Sequence, residues 1–211
     1  MFKVFKYLIT LLLITSCATK KFVNKQQLLG NISEVSEATY SIENDRKTLL
    51  KQKKIILTKN GRIKFSETYD ANNELIETVE KKLFFNKKSF PNKESYYCKT
   101  RWKRNRKERI SCYSQKKYKQ NEIIVQYNKD GTIAIIKDNF SSFNTYIFDY
   151  NNAKKSKELL SFITLNKKGD LINKTLITCI AKDAFNNCIK LEKNAIQTKK
   201  VELIERIIKY N

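Results

Sequence analysis

Hydrophobic positions along the 211-residue chain fall into two regimes. The first is one compact run: Tyr7 to Ile14 is apolar except at Thr10 and follows a short basic start at Lys3 and Lys6. That run is far shorter than the roughly 20 apolar residues a membrane-spanning helix needs. It has the make-up of the apolar region of a secretory signal peptide. Residues 18–33 are polar with scattered apolar positions and no period, so residues 17–33 are expected to form a tether. Residues 34–50 read two ways, as a helix stripe through Val35, Ala38 and Ile42 or as a strand edge over 37–42.

From Lys53 onward the second regime begins, with short β-rich runs separated by turn signals. A heptad recurs at 57–63, 69–75, 127–133 and 165–171, with a degenerate copy at 182–188. It consists of an apolar or aromatic residue, Asp/Asn/Thr, two free residues, Gly/Asn, one free residue and a closing residue that is apolar in all but the degenerate copy. The polar residue at the second place can bond backbone amides two residues on, and the Gly or Asn tolerates the positive φ that closes a type I turn with a bulge. Alternation around Asp130-Gly131, with Val125 and Tyr127 before it and Ile133 and Ile135 after, supports paired strands. Phe140, Phe143, Tyr146, Phe148 and Tyr150 are expected as sheet core, and 153–160 as a helical turn or a lysine-rich strand. The fold expected is all-β: an antiparallel meander of β-hairpins over a single domain, 34–211, forming one curved sheet or half-barrel.

Two resemblances add to this. Ile14-Thr15-Ser16-Cys17, ending the apolar run, closely resembles the lipobox of bacterial lipoproteins. It implies cleavage after residue 16, diacylglycerol on the Cys17 thiol and an acylated new amino terminus. The partner so implied is membrane lipid, and the location is the bacterial cell envelope, the outer membrane before the inner. The turns, Tyr69-Asp70 best among them, resemble those of YD-repeat-like β-meander lipoproteins, as does the closing segment Asn194 to Tyr210.

Charge narrows the partners. The chain carries a formal +22, and removing a segment with two lysines leaves +20. Such a charge attracts anionic phospholipid, lipopolysaccharide or acidic glycan; an AT-rich genome would also enrich lysine. Export disfavours nucleic acid. Histidine is absent, which removes Ser-His and Cys-His nucleophiles and imidazole metal ligands. The four glycines form no phosphate-cradling motif, and no cofactor is expected.

With Cys17 assigned to lipid, Cys98, Cys112, Cys179 and Cys188 remain, in three arithmetical connectivities. Neither close pair has C-x-x-C spacing, so no metal site is expected. Cys98 and Cys112 are symmetric about Asn105. Folding there sets Cys98 against Cys112, Thr100 against Ile110 and Trp102 against Glu108. Lys99, Arg101, Lys103, Lys107 and Arg109 then share the other face, a candidate anionic-surface site. The plainer reading of those cations is lysine protecting an exposed strand edge. Around a turn at Asp183–Asn186, Cys188 falls opposite Ala181, so a bridge to Cys179 needs a twist or a bulge.

The function expected is a non-enzymatic binding or structural role at the envelope. The alternative is a carrier or chaperone for an apolar ligand such as an acyl chain in the concave sheet face. A carboxylate-based glycan hydrolase ranks third, with Glu74, Glu77, Glu202 and Glu205 as acids that nothing in the sequence pairs.

Overall fold

The computed structural model describes residues 21–103, 105–151 and 158–211. Residues 1–20, with the expected signal peptide and Cys17, and also Arg104 and most of 153–160, lie outside the described residues. The strands run β1 Ile32–Glu43, β2 Arg46–Leu57, β3 Ile63–Asp70, β4 Leu75–Lys81, β5 Asn86–Phe90, β6 Lys93–Lys103 and β7 Lys107–Tyr113. They continue as β8 Lys119–Tyr127, β9 Ile133–Asp138, β10 Thr145–Asn151, β11 Glu158–Leu165, β12 Leu171–Lys182, β13 Cys188–Ala195 and β14 Lys200–Tyr210. One short helical turn, α1 Phe22–Lys25, precedes them.

Every strand pairs antiparallel with its neighbours in sequence, and β1 pairs with β14 from Ile32↔Tyr210 to Ile42↔Val201. The meander is therefore as expected, but the curved sheet or half-barrel is corrected to a fully closed barrel. The reason is the edge. An open sheet leaves two rows of unpaired amides and carbonyls, and β1 and β14, at 12 and 11 residues, are long enough to satisfy one another. Residues 34–50, ambiguous in sequence, are the β1–β2 hairpin, turning at Asn44 and Asp45 with positive φ.

The five heptads all form the same turn. In each, the amide three residues on donates to the carbonyl of the first turn residue. The first turn residue's own amide donates to the carbonyl four residues on, with all bonds 2.8–3.2 Å. Gly61, Asn73, Gly131, Gly169 and Asn186 hold the positive φ, and a register shift adjoins each turn. A sixth copy at Ser114–Tyr118 has the same bonds, with Lys117 at φ +66°. The aromatic run needs correction at its start. Asp138 accepts from the amides of Phe140, Ser141 and Ser142, and this loop leaves Phe140 and Phe143 exposed before β10. Burial pushes the Asp138 carboxyl up, but those bonds and the Ser141 hydroxyl outweigh it and hold it well below the usual range.

Alternation sorts the wall into two faces. Lys54, Glu67, Arg101, Lys137, Asp149 and Glu205 point outward, opposite the lumen-facing rows. A basic side chain on a lipid-facing barrel wall costs roughly 2–4 kcal/mol at the bilayer midplane. The outer wall thus carries charge on several strands, beside exposed Ile147, Leu176 and Ile207.

Candidate functional site

Up-and-down order puts the β2–β3, β4–β5, β6–β7, β8–β9 and β12–β13 turns, together with the C-terminus, at one end of the barrel. The chain enters at that same end, and residues 22–31 do not run free as a tether should. They fold into the barrel opening as a plug. Val23 donates to the Gly61 carbonyl at 3.3 Å. Gly61 has φ +69°, and a Cβ there would sit 2.6 Å from Val23 Cγ2, so glycine serves both the turn and the close approach. Leu28 packs with Ile32, Val35, Ile55 and Leu57, flanked by Phe22, Val23, Ile63, Ile208 and Tyr210; this is the apolar core.

Three polar ties hold the plug. Lys25 Nζ lies 2.7 Å from Oε2 of the fully buried Glu108. The Tyr127 hydroxyl donates to the same oxygen at 2.6 Å, and Trp102 stands edge-on to Tyr127 at 5.8 Å. Burial, then the bond to Glu108, pushes the Tyr127 phenol far above its ordinary range. Arg206 is the second tie: Nε donates to Glu37 at 2.8 Å and Nη2 to the Gln26 side chain at 3.3 Å. The third tie is Asn187, 1% exposed. It accepts from the Leu29 amide at 2.6 Å and donates to the Leu29 carbonyl at 3.0 Å. Tyr210 donates to Asp183 beside it, and Phe185 stacks on Tyr210 at 4.2 Å. Burial raises the Asp183 carboxyl, but bonds from Tyr210, Asn187 and Phe185 prevail and hold it low. Gly30, at φ +92°, passes so close that a Cβ would meet Tyr210 Cε1 at 2.9 Å.

The plug fills one side of the lumen and leaves the other open. Between residues 25–29 and the inner faces of β9–β14 lies a cavity of about 290 Å³. Its wall carries Phe148, Phe162, Ile177, Leu191 and Ile204, and its polar groups include Lys193 and Arg206. Burial pulls the Lys193 ammonium below its ordinary value, countered in part by Glu202 and Glu37. Tyr150, also on this wall, is pushed by burial up to about 12. A second space of about 260 Å³ lies beside Phe22, lined by Ile63, Phe85, Cys98 and Ile110.

Both disulfides line these spaces. Cys98–Cys112 joins directly opposed residues, in the register expected from symmetry about Asn105: Thr100↔Ile110 and Trp102↔Glu108. Cys179–Cys188 forms across two bulges; Cys188 opposes Lys182 rather than Ala181. Lys99, Arg101, Lys103, Lys107 and Arg109 share the outer face of the β6–β7 hairpin, with Arg101↔Arg109 and Lys103↔Lys107 directly opposed. Like charges so placed are destabilising. Because β6 and β7 are paired on both sides, the edge-protecting reading of these cations no longer applies. A hollow of about 110 Å³ lies among them, closed by Lys119–Glu122 at 3.0 Å. The Lys119 bond lowers the Glu122 carboxyl.

The acids considered for hydrolysis are not brought together. Glu77 pairs with Lys88 at 2.9 Å and Glu205 with Lys47 at 2.8 Å, while Glu202 and Glu205 leave opposite faces of β14. Among the described residues, no group of three or more Cys, Asp or Glu is placed to hold a metal ion. Sequence reasoning missed Lys25, Gln26, Leu28, Asn187, Lys193 and Arg206. The only local signal was the place of Asn187 within the degenerate fifth turn.

Fold and site together define a plugged, fourteen-stranded antiparallel β-barrel with an amphipathic lumen cavity. No protein-family model and no curated protein matches the chain. Among solved structures it is similar to a porin-like protein from Bacteroides uniformis ATCC 8492, at 13% identity and TM-score 0.37, covering 78% of this chain and 55% of that one. It is similar to a LolA superfamily protein from Nitrosomonas europaea, at 6% identity and TM-score 0.43, with 90% of each chain covered. A DUF1329 family protein from Desulfovibrio piger ATCC 29098 aligns at 10% identity and TM-score 0.36, again over 90% of each chain.

Proposed function

We propose that this chain is a non-enzymatic cell-envelope lipoprotein, anchored through acylated Cys17, that carries an amphiphilic ligand in its lumen. The observation that supports this is the unfilled cavity of about 290 Å³ beside the plug. Side chains alone fill a barrel of about eight strands, so this wider one encloses space that the plug only partly takes up. Here aromatic and aliphatic groups face open space, and each methylene a ligand buries against them contributes about 0.8 kcal/mol. Lys193 lies at the same cavity and suits an anionic head such as a carboxylate, with Arg206 beside it already bonded to Glu37 and Gln26. A negative charge there would offset the desolvation that weakens the Lys193 ammonium.

The test is titration of the purified full-length chain with a fluorescent long-chain fatty acid, displaced by palmitate. Saturable one-to-one binding is expected, weakened at least tenfold by Leu191→Trp, which puts an indole ring into the cavity. Undiminished binding to the Leu191→Trp protein would remove the lumen from the account. Anchoring is read separately: Cys17→Ser is expected to abolish lipid mass on the Cys17 peptide.

The outer cationic face supports a second role, contact with anionic lipid, lipopolysaccharide or acidic glycan. Lys99, Arg101, Lys103, Lys107 and Arg109 include directly opposed like charges that cost stability, and attraction to an anionic surface is what would offset that cost.

A further inference from the structure

We infer that the plugged end of the barrel is a membrane-docking face, with Leu83 and Phe84 inserted into an anionic phospholipid bilayer and Lys59, Lys103, Arg106 and Lys129 set against its headgroups. This rests on the envelope reading above and adds the face that meets the membrane. Leu83 and Phe84 form the tip of the β4–β5 hairpin, closed by the Lys82 amide donating to the Phe85 carbonyl at 2.8 Å. Hairpin tips ordinarily carry Gly, Asn, Asp or Ser. These two are instead 83% and 80% exposed, and no other large apolar side chain among the described residues exceeds 69%. Phe84 only borders the lumen space beside Phe22, and both side chains stay largely in water on a tight turn.

Their surroundings specify the occupant. The neighbouring turns at this end present Lys59, Arg106 and Lys129, with Lys103 just above, all exposed. Apolar residues ringed by cations match the boundary between acyl chains and anionic headgroups. The chain itself points the same way. Lys21 lies at this end, and Cys17 is four Cα–Cα steps before it. Fully extended, they reach at most about 14 Å, so an acylated Cys17 would hold this end, and no other, against the bilayer. Phe84 also borders the second lumen space, together with Phe85 and Phe22, so docking would bring a mouth of the lumen to the lipid.

The experiment uses the full-length chain, whose one tryptophan, Trp102, packs inside against Tyr127 and supplies a constant background. Tryptophan is placed at the tip (Leu83→Trp) or at the opposite end (Asn72→Trp). Quenching by brominated phospholipid is then read in vesicles of phosphatidylcholine with and without phosphatidylglycerol. Quenching is expected for Leu83→Trp and not for Asn72→Trp. It should strengthen with phosphatidylglycerol and fall on adding Phe84→Asp. Lys103→Glu with Arg106→Glu should weaken the phosphatidylglycerol dependence by more than tenfold, since each basic group near an anionic leaflet is worth a factor of about five. No quenching at position 83, or equal quenching at 72, overturns the docking face. Mass analysis of the Cys17 peptide separates the two readings. A lipidated peptide with a silent position 83 sinks docking alone, and quenching at 83 with an unmodified Cys17 sinks the anchor alone.

Discussion

The two walls of the lumen are built from similar strands and meet the same ten-residue plug, yet only one of them is packed. On the β1–β2 side, Leu28 reaches Val35 and Ile55, which are 0% and 1% exposed. On the β10–β13 side, Phe148, Phe162, Ile177 and Leu191 look across a cavity at plug residues 25–29. Strand sequence does not separate the walls, since both alternate apolar and polar residues. The difference comes from the plug: Leu28 packs into the β1–β2 core, while Lys25 and Gln26 serve Glu108 and Arg206 and Leu29 only borders the cavity. Packing is concentrated at β1–β2, while open volume lies along β9–β14 and, as a smaller space, beside Phe22. A binding lumen needs both.

The sharpest way to break this asymmetry is to undo the plug's buried ion pair. Lys25→Met removes the cation facing fully buried Glu108, and loss of one partner of such a pair costs about 3–5 kcal/mol. Denaturant unfolding should show a destabilisation near the lower end of that range. The double variant Lys25→Met/Glu108→Gln should recover part of it. A change below 1 kcal/mol in the single variant would mean that the plug is not held there.

The walls can be compared directly with matched truncations. Leu28→Ala opens a hole in the packed side and is expected to cost about 3 kcal/mol, within the spread for buried leucines. Leu191→Ala, on the cavity side, should cost under about 1.5 kcal/mol, because its side chain already borders open space. Equal costs would show that the two walls are packed alike.

The smallest effect is a pH dependence of the plug's latch. The Asp183 carboxyl is lowered in the folded protein, so the stability it contributes is present above its unfolded value near 3.9 and lost as pH falls below it. Hydrogen exchange at the Leu29 amide, bonded to Asn187, should speed up below about pH 4 relative to the barrel strands. In Asp183→Asn that extra acid sensitivity should vanish.

What could be read in the sequence was local. Five turns were legible because Asp, Asn or Thr and a positive-φ Gly or Asn carry their own chemistry. The sixth was not, because Lys117 adopts φ +66° without any residue preference to announce it. The Cys98–Cys112 register followed from symmetry about one tip. Closure was hidden, since β1 meets its partner β14 only at the far end of the chain. The plug was hidden for the same reason: Lys25 and Glu108 are 83 residues apart, and Phe22, Val23 and Leu28 follow no helical period. The cavity is what the plug leaves unfilled, so no single segment encodes it.

The measurement that bears most directly on the lumen as a carrier site is photolabelling with a long-chain fatty acid bearing a diazirine on its tail, mapped by peptide mass spectrometry. The expected result is labelling confined to inward-facing residues of β10–β13, Phe148, Phe162, Ile177 and Leu191 above all, and competed away by palmitate. Labelling that falls on the outer face of β6–β7, or that palmitate does not compete, would contradict the account.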